Sequence, residues 1–111
     1  MSTVRLPHHK LRAFGAAVEL LAAVRDARVR DAGLREQAMR SAKSCCLNVA
    51  EGAGRVSRAD KARVFGIARA EAVEAAAAVE IAALCGEAVD PAKVLVAADA
   101  VVAMLTGLIR P

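Results

Sequence analysis

Alanine dominates this sequence and restricts its fold more than any other feature. It supplies 28 of the 111 residues, against two Phe and no Trp or Tyr. Ala is the strongest helix former, and the β-branched residues are too scattered to outline strands, so the sequence predicts one all-α domain over residues 1–111. Ala side chains let helix axes approach closely, but each contact buries little area, at about 25 cal/mol per Å². Such a core favours a homo-oligomer whose subunits complete one another's burial.

Apolar residues recur at three- and four-residue steps in four segments of the chain. This spacing predicts helices over about residues 7–29, 34–53, 58–85 and 91–109. The caps predicted at the breaks are Asp31, Ser57 and Asp90 (before Pro91) at helix starts, and Gly52 or Gly54, then Gly86, at helix ends. Four helices with short connections favour an antiparallel up-down-up-down four-helix bundle.

Positive charge is concentrated in the first part of the chain. Residues 1–69 carry 14 Lys/Arg and 6 Asp/Glu, whereas residues 70–111 carry 2 Lys/Arg and 6 Asp/Glu. Solvated helix faces explain this pattern, and so does a basic surface that meets phosphates of RNA or DNA. No aromatic residues are interleaved with the cations, so binding would be directed at the nucleic-acid backbone and would depend steeply on salt. The candidate phosphate contacts are Arg12, Arg25, Arg28, Arg40, Lys43, Arg55, Arg58, Lys61 and Arg63.

The cysteines and the apolar runs point to a cytoplasmic protein. Cys45, Cys46 and Cys85 have neither zinc-site spacing nor the even number of a disulfide framework, and we interpret them as small core residues in a reducing compartment. The first ten residues lack the apolar core of a signal peptide. The longest apolar run, residues 89–109, is interrupted by charged residues, so no membrane partner is expected.

No residue constellation predicts a catalytic, cofactor or metal site. Helical bundles host di-iron centres built from Glu and Glu-x-x-His, but the Glu71-x-x-Glu74 pair has no accompanying helical Glu-x-x-His. His8 and His9 precede the first helical stripe, where a solvated terminus is the simpler interpretation. Gly52-x-Gly54 ends a helix and does not follow a strand as a phosphate loop does. The sequence therefore predicts a non-enzymatic protein.

A polar strip runs along the second predicted helix. Its members follow one another at steps of 4, 3, 4, 3 and 4 and so share one face: Gln37, Ser41, Ser44, Asn48, Glu51 and Arg55. A register-fixing network of hydrogen bonds explains the strip, and a ligand or nucleic-acid site remains the alternative. Asn48 has donors and acceptors and is predicted to bridge two helices.

Glu51 and a pair of glutamates on the third helix require partners. Glu51 faces the negative end of its helix dipole, and Arg55, four residues later, is its predicted partner. Glu71 and Glu74 are placed by their spacing on the apolar stripe of Val64, Ile67 and Ile81, where carboxylates need compensation. Their predicted partners are Asn48, Arg40 or Arg69.

The segment QAMRSAKSCCLNVAEGAGR, residues 37–55, resembles the signature of the bacterial four-helix-bundle family of 23S rRNA intervening-sequence proteins. The positions that match are Gln37, Arg40, Ala42, Ser44, Asn48, Ala50, Glu51, Gly52 and Arg55. The likeness continues in LRAFGAA, KARVFGIARAEAVE and VVAMLTGLI, and so covers about residues 11–109. Cys45-Cys46 and Ala70-Glu71 depart from the family pattern, and the second departure adds a carboxylate beside Glu74.

The resemblance implies a left-handed antiparallel bundle that assembles as a homopentamer. It also implies an alternative role, because one branch of the family serves diversity-generating retroelements and contacts nucleic acid and a reverse transcriptase. From the residues themselves we expect a scaffold or adaptor that binds itself or another protein. Leu47, placed between the charged positions of the second helix, indicates such a contact.

Overall fold

The computed structural model describes residues 3–111, which form four α-helices and one short 3₁₀ turn. The helices are α1 (Arg12–Ala27), α2 (Ala32–Gly54), α3 (Arg58–Leu84) and α4 (Ala92–Ile109), and the 3₁₀ turn is Pro7–Lys10. Each helix packs against the next, and α1 also packs against α4, which closes an antiparallel four-helix bundle. The α2–α3 contact is the most extensive of these. The fold class predicted from the helical periodicity is confirmed.

The first helix differs from its predicted form. A single helix over residues 7–29 was expected, but Leu11 is extended (φ −92°, ψ 125°) and separates the 3₁₀ turn from α1. The backbone N–H of Leu6 donates to Nδ1 of His9 at 2.9 Å, which fixes the turn. The ring of His8 packs edge-on against Phe14, with centroids 4.6 Å apart. The histidines thus organise the N-terminal segment.

Helix starts follow the predicted caps closely. The carboxylate of Asp31 accepts from the N–H of Leu34 at 2.9 Å, and the Ser57 hydroxyl accepts from the N–H of Asp60 at 3.1 Å. The predicted cap of α4 is displaced by one residue: Pro91, and not Asp90, is the N-cap, although Asp90 accepts from the N–H of Ala92 at 3.0 Å. Each cap pairs a donor that lacks an intrahelical acceptor, and such caps contribute about 1 kcal/mol each.

Helix ends agree with the sequence less well. Gly86 has φ +97°, in the left-handed region, and lies just beyond α3 as predicted. The cap of α1 is Arg28, which itself adopts a left-handed conformation (φ 53°). The predicted glycine cap of α2 is wrong: Gly52 and Gly54 are helical, and the extended Arg55 follows them.

Alanine, and not isoleucine, forms the buried stripe of α3. Its buried side chains are Val64, Phe65, Ala68, Ala72, Ala75, Ala76, Ala78, Val79 and Ala82. Ile67 and Ile81 are exposed, contrary to the predicted apolar stripe. Small side chains let α3 approach its neighbours closely, so the bulkier isoleucines remain outside. Glu74 lies seven residues from each of them and therefore on their side of the helix.

Helix α4 combines a core stripe with an apolar exterior. Val94, Ala98, Val101 and Leu105 are its buried residues. Among the helices of residues 3–111, α4 alone is long and apolar enough to cross a membrane by length and composition, with a mean hydropathy of 2.0 over 18 residues. Of that stretch, 22% is buried inside the bundle.

Candidate functional site

The polar strip of α2 divides into three local networks. In the first, Gln37 Nε2 donates to Glu74 Oε1 at 2.9 Å and the Ser41 hydroxyl donates to Glu74 Oε2 at 3.1 Å. Gln37 Nε2 also donates to Ser41 Oγ at 3.2 Å, and Arg40 donates to the side-chain oxygen of Gln37 at 3.1 Å. Ser41 is 1% exposed, so its hydroxyl depends on this carboxylate for a partner. The network joins α2 to α3.

The predicted partners of Glu74 are therefore corrected, and the Glu71 side chain makes no hydrogen bond or ion pair within residues 3–111. Glu74 is held by Gln37 and Ser41, and Arg40 reaches it only through Gln37. Arg69 donates instead to the hydroxyl of Thr106 on α4 at 2.9 Å. The spacing of α3 alone could not show that Glu74 lies at the seam between two helices and not in the core.

Asn48 does not bridge two helices, contrary to the prediction. Its side-chain Nδ2 donates to the backbone oxygen of Ser44 at 2.9 Å and to the Ser44 hydroxyl at 3.0 Å, both within α2. The short reach between adjacent turns satisfies the amide locally. Asn48 and Ser44 thus form the second network, on the outer side of the helix.

The third network closes the C-terminal end of α2. Arg55 Nη2 lies 2.6 Å from Glu51 Oε1, so the predicted partner of Glu51 is confirmed. Arg55 Nη1 also lies 3.4 Å from Asp60, and Arg63 Nη2 lies 2.9 Å from the same carboxylate. The hydrogen bond from Arg63, together with the charge of Arg55, lowers the pKa of Asp60. The hydrogen bond that Arg55 donates to Glu51, and then the charge of Asp60, raises the pKa of Arg55.

Gly52 packs directly against Phe65, a contact that the sequence analysis did not predict. A Cβ atom at residue 52 would lie 2.7 Å from two ring carbons of Phe65. The ring is buried, and it lies where α2 and α3 converge on the turn that joins them. Absence of a side chain at residue 52 is thus a packing requirement.

The nine candidate phosphate contacts lie in three places. Arg25 and Arg28 are at the α1–α2 end of the bundle, where Arg25 pairs with Asp26 at 3.0 Å. Arg40 and Lys43 lie midway along α2, on its exposed face. The other five, Arg12, Arg55, Arg58, Lys61 and Arg63, lie at the opposite end.

That opposite end also gathers cations that the sequence analysis did not select. Contacts identify the location: Arg58 donates to the backbone oxygen of Arg110 at 3.0 Å, and Lys61 Nζ to that of Ala53 at 2.8 Å. We call the following set the basic end: Arg5, Lys10, Arg12, Arg55, Arg58, Lys61, Arg63, Arg69 and Arg110. It contains nine of the sixteen Lys and Arg residues of the chain. Among residues 3–111, the side-chain carboxylates that accompany them are Glu51 and Asp60, in the networks with Arg55 and Arg63.

The cysteines are free and occupy two environments. Cys45 and Cys46 are buried on α2, whereas Cys85 is exposed after α3, which corrects its predicted place in the core. Burial, and then the nearby Cys46 and Glu71, raises the pKa of Cys45 from 9.0 to about 12. Burial likewise raises the pKa of Cys46. Across residues 3–111, no group of three or more His, Cys, Asp or Glu side chains is arranged to hold a metal ion.

The fold and the networks together define a small all-α protein. It is an antiparallel four-helix bundle whose second helix carries a polar strip. Comparison with protein families is more specific. The family of 23S rRNA-intervening sequence proteins matches residues 10–107, and the chain belongs to that family. The resemblance recognised in the motif around Asn48 and Glu51 is thereby confirmed at the level of the family. A comparison with curated proteins finds no match.

Proposed function

We propose that this chain is a non-enzymatic, homo-oligomeric scaffold of the intervening-sequence protein type. The observation that supports it most strongly is the apolar surface left on the outer face of α2 and α3. Leu47 is 70% exposed, and Ile67 and Ile81 are 42% and 45% exposed. All three are large apolar side chains, and a protein contact would remove this surface from water.

The outer face of α2 has the form expected of such a contact. A shallow depression of about 540 Å³ lies along it, with Leu47 and the half-buried Met39 among its lining residues. Glu36, Arg40, Lys43 and Glu51 also line the depression, so a partner would meet an apolar centre with charged side chains around it. The resemblance to the family implies a pentamer, in which each subunit covers this face of a neighbour.

Light scattering behind a sizing column tests the assembly. Wild-type protein is expected at about five times the chain mass of 11.5 kDa. Leu47→Glu is expected to shift the mass to smaller species, because a carboxylate would be desolvated in the contact. Val56→Glu is the matched control, since Val56 is 97% exposed in the α2–α3 turn. A wild-type monomer, or equal effects of the two substitutions, would refute the proposal.

A second candidate function is backbone-directed binding of RNA or DNA, and the basic end supports it. Nine cations with two carboxylates give this end a net charge of +7, although the whole chain carries only +4. Clustered cations bind a polyanion favourably because they replace, and so release, its condensed counterions. A reverse transcriptase as the accompanying protein partner, and a cytoplasmic location, remain predictions that the retroelement branch and the composition suggest.

Salt-dependent binding of a mixed-sequence duplex and of a single-stranded RNA tests this second candidate. The double substitution Arg12→Gln with Arg58→Gln is expected to weaken binding and to reduce the slope of log affinity against log salt by about 2. Arg30→Gln with Lys93→Gln removes the same charge from exposed side chains at the other end and is expected to change little. No binding at low salt, or equal effects of both pairs, would contradict the basic end as the binding surface.

A further inference from the structure

A cavity of about 540 Å³ opens at the basic end, between the N-terminal segment and the ends of three helices. Its larger apolar lining residues are Leu11, Phe65 and Leu108, which we call the floor. Four cations, which we call the ring, also line the cavity: Arg5, Lys10, Arg58 and Lys61. No carboxylate of residues 3–111 is among the lining side chains. An apolar floor within a ring of like charge is an arrangement that neither the bundle core nor self-assembly requires.

Charges around the cavity are not compensated by the protein. Glu51 and Asp60, the carboxylates at this end, pair with Arg55 and Arg63 and not with the cavity residues. Arg58 and Lys61 each donate to backbone oxygens, of Arg110 and Ala53 respectively, which orients them without neutralising them.

Arg5 and Lys10 are the less constrained members of the ring. Both are exposed, and within the described part of the chain neither side chain makes a hydrogen bond or an ion pair. Four cations around one opening repel one another, and a bound anion would relieve that repulsion. Arg and Lys together suit phosphate oxygens, through a planar fork and a point charge.

The floor adds a requirement for an apolar group. Phe65 lines the cavity but is only 4% exposed, so Leu108 and the half-buried Leu11 offer more apolar surface to a ligand. Leu108 is 42% exposed, and contact with an apolar group would remove that surface from water. Cavities of 300–1,000 Å³ with few polar groups at an apolar wall are typical of small-molecule sites.

We propose that this cavity binds a small organic phosphate, with its phosphate between Arg5, Lys10, Arg58 and Lys61 and its apolar body against Leu108 and Phe65. A nucleoside monophosphate and an alkyl phosphate share this chemistry. The proposal concerns one discrete ligand in each chain, and it holds whether or not the basic end also binds a nucleic-acid backbone.

Isothermal titration of the assembled protein with adenosine monophosphate, octyl phosphate (below its micelle concentration) and inorganic phosphate tests the site. Saturable binding of one organic phosphate per chain is expected, at least tenfold tighter than inorganic phosphate. The tighter of the two organic ligands identifies the apolar body that the floor prefers. Absence of saturable binding at 5 mM, or equal affinity for inorganic phosphate, would overturn the proposal.

Variants separate the charged ring from the floor. Arg5→Gln with Lys10→Gln is expected to weaken all three ligands about five- to tenfold, whereas Lys93→Gln, at the other end of the bundle, leaves them unchanged. Leu108→Ser is expected to weaken octyl phosphate about five- to tenfold and to leave inorganic phosphate unaffected. Equal affinities in the charge variant and the Lys93→Gln control would place binding elsewhere and refute the site.

Discussion

Gly52 on α2 and Phe65 on α3 are in direct contact, and the ring occupies the space that a side chain on residue 52 would need. A Cβ there would meet two ring carbons at 2.7 Å. The glycine belongs to the segment that carries the family resemblance, and its role is to let two helices and an aromatic ring converge beside their turn. Phe65 also lines the cavity at the basic end.

Gly52→Ala is therefore expected to destabilise the protein. The ring of Phe65 is buried and cannot move away freely, so overpacking of this kind costs about 1–3 kcal/mol. Thermal or urea unfolding followed by circular dichroism measures the change. Gly54→Ala is the matched control: its Cβ would meet nothing within 4 Å, and alanine favours the helix, so stability is expected to be equal or slightly higher. Equal losses in both variants would contradict the packing role of Gly52.

Replacement of Glu74 by alanine is expected to loosen the α2–α3 seam. It removes the acceptor of both Gln37 and the buried Ser41, at a cost of about 1–2 kcal/mol in the free energy of unfolding. Glu74→Gln retains one acceptor oxygen and is expected to cost less. Glu80→Ala, an exposed α3 glutamate without a hydrogen bond among the described residues, is expected to stay within about 0.5 kcal/mol. No change on Glu74→Ala would show that the network does not hold the helices together.

Glu87 connects the α3–α4 loop to the α1–α2 loop, at the end of the bundle opposite the basic end. Removal of its side chain is expected to destabilise both loops. Its carboxylate accepts from the backbone N–H of Arg30 at 2.6 Å and from that of Asp31 at 3.0 Å. Glu87→Ala leaves two donors at the start of α2 without this acceptor, and the expected loss is about 1–3 kcal/mol. Faster amide exchange at residues 30 and 31 is the specific readout. Glu19→Ala, which removes an exposed carboxylate from α1, is the control. If residues 30 and 31 exchange no faster in Glu87→Ala than in this control, the role of Glu87 is refuted.

Thiol reactivity is expected to distinguish Cys85 from the other two cysteines. At pH 8 a disulfide reagent should modify the exposed Cys85 rapidly and the buried Cys45 and Cys46 only on unfolding. Cys85→Ser should abolish the fast phase. Rapid modification of two or three thiols in the folded protein would contradict the buried positions of Cys45 and Cys46.

The raised pKa of Cys45 also predicts a loss of stability in alkali. Burial keeps this thiol protonated in the folded state to about pH 12, whereas the unfolded chain releases the proton near pH 9.0. The stability that the protonated Cys45 thiol contributes to the folded state is therefore fully present below pH 9.0, and it is lost as the pH rises toward 12. Unfolding free energies measured across this range should fall less steeply for Cys45→Ala. Identical pH profiles would exclude Cys45 as the titrating group.

Features decided within a few residues were predictable from the sequence. The caps Asp31 and Ser57 act on backbone groups three residues away, and Arg55 meets Glu51 one turn earlier. Helix periodicity likewise predicted four helices, because it depends on the spacing of apolar residues alone. Asn48 was predicted to bridge two helices because its amide has donors and acceptors. Its Nδ2 instead donates to the hydroxyl and the backbone oxygen of Ser44, one turn earlier in α2.

Features that join distant segments were not predictable in the same way. The packing role of Gly52 depends on the direction in which the chain returns to place Phe65. Arg5 and Lys10 reach the basic end only because Leu11 breaks the first helix and turns the N-terminal segment. The predicted apolar stripe of α3 was also wrong. Close approach of the helices places alanines in the core and leaves Ile67 and Ile81 outside.

The pairing of α2 with α3 has a consequence for the order of events in folding. Only residues 55–57 separate these helices, and their contact is the most extensive in the bundle. Short loops close quickly, and contacts between nearby segments form early. We therefore expect the α2–α3 hairpin to be structured in the folding transition state, with α1 and α4 docking on it afterwards. Substitutions at the Gly52–Phe65 contact would then slow folding, whereas those in α4 would mainly speed unfolding.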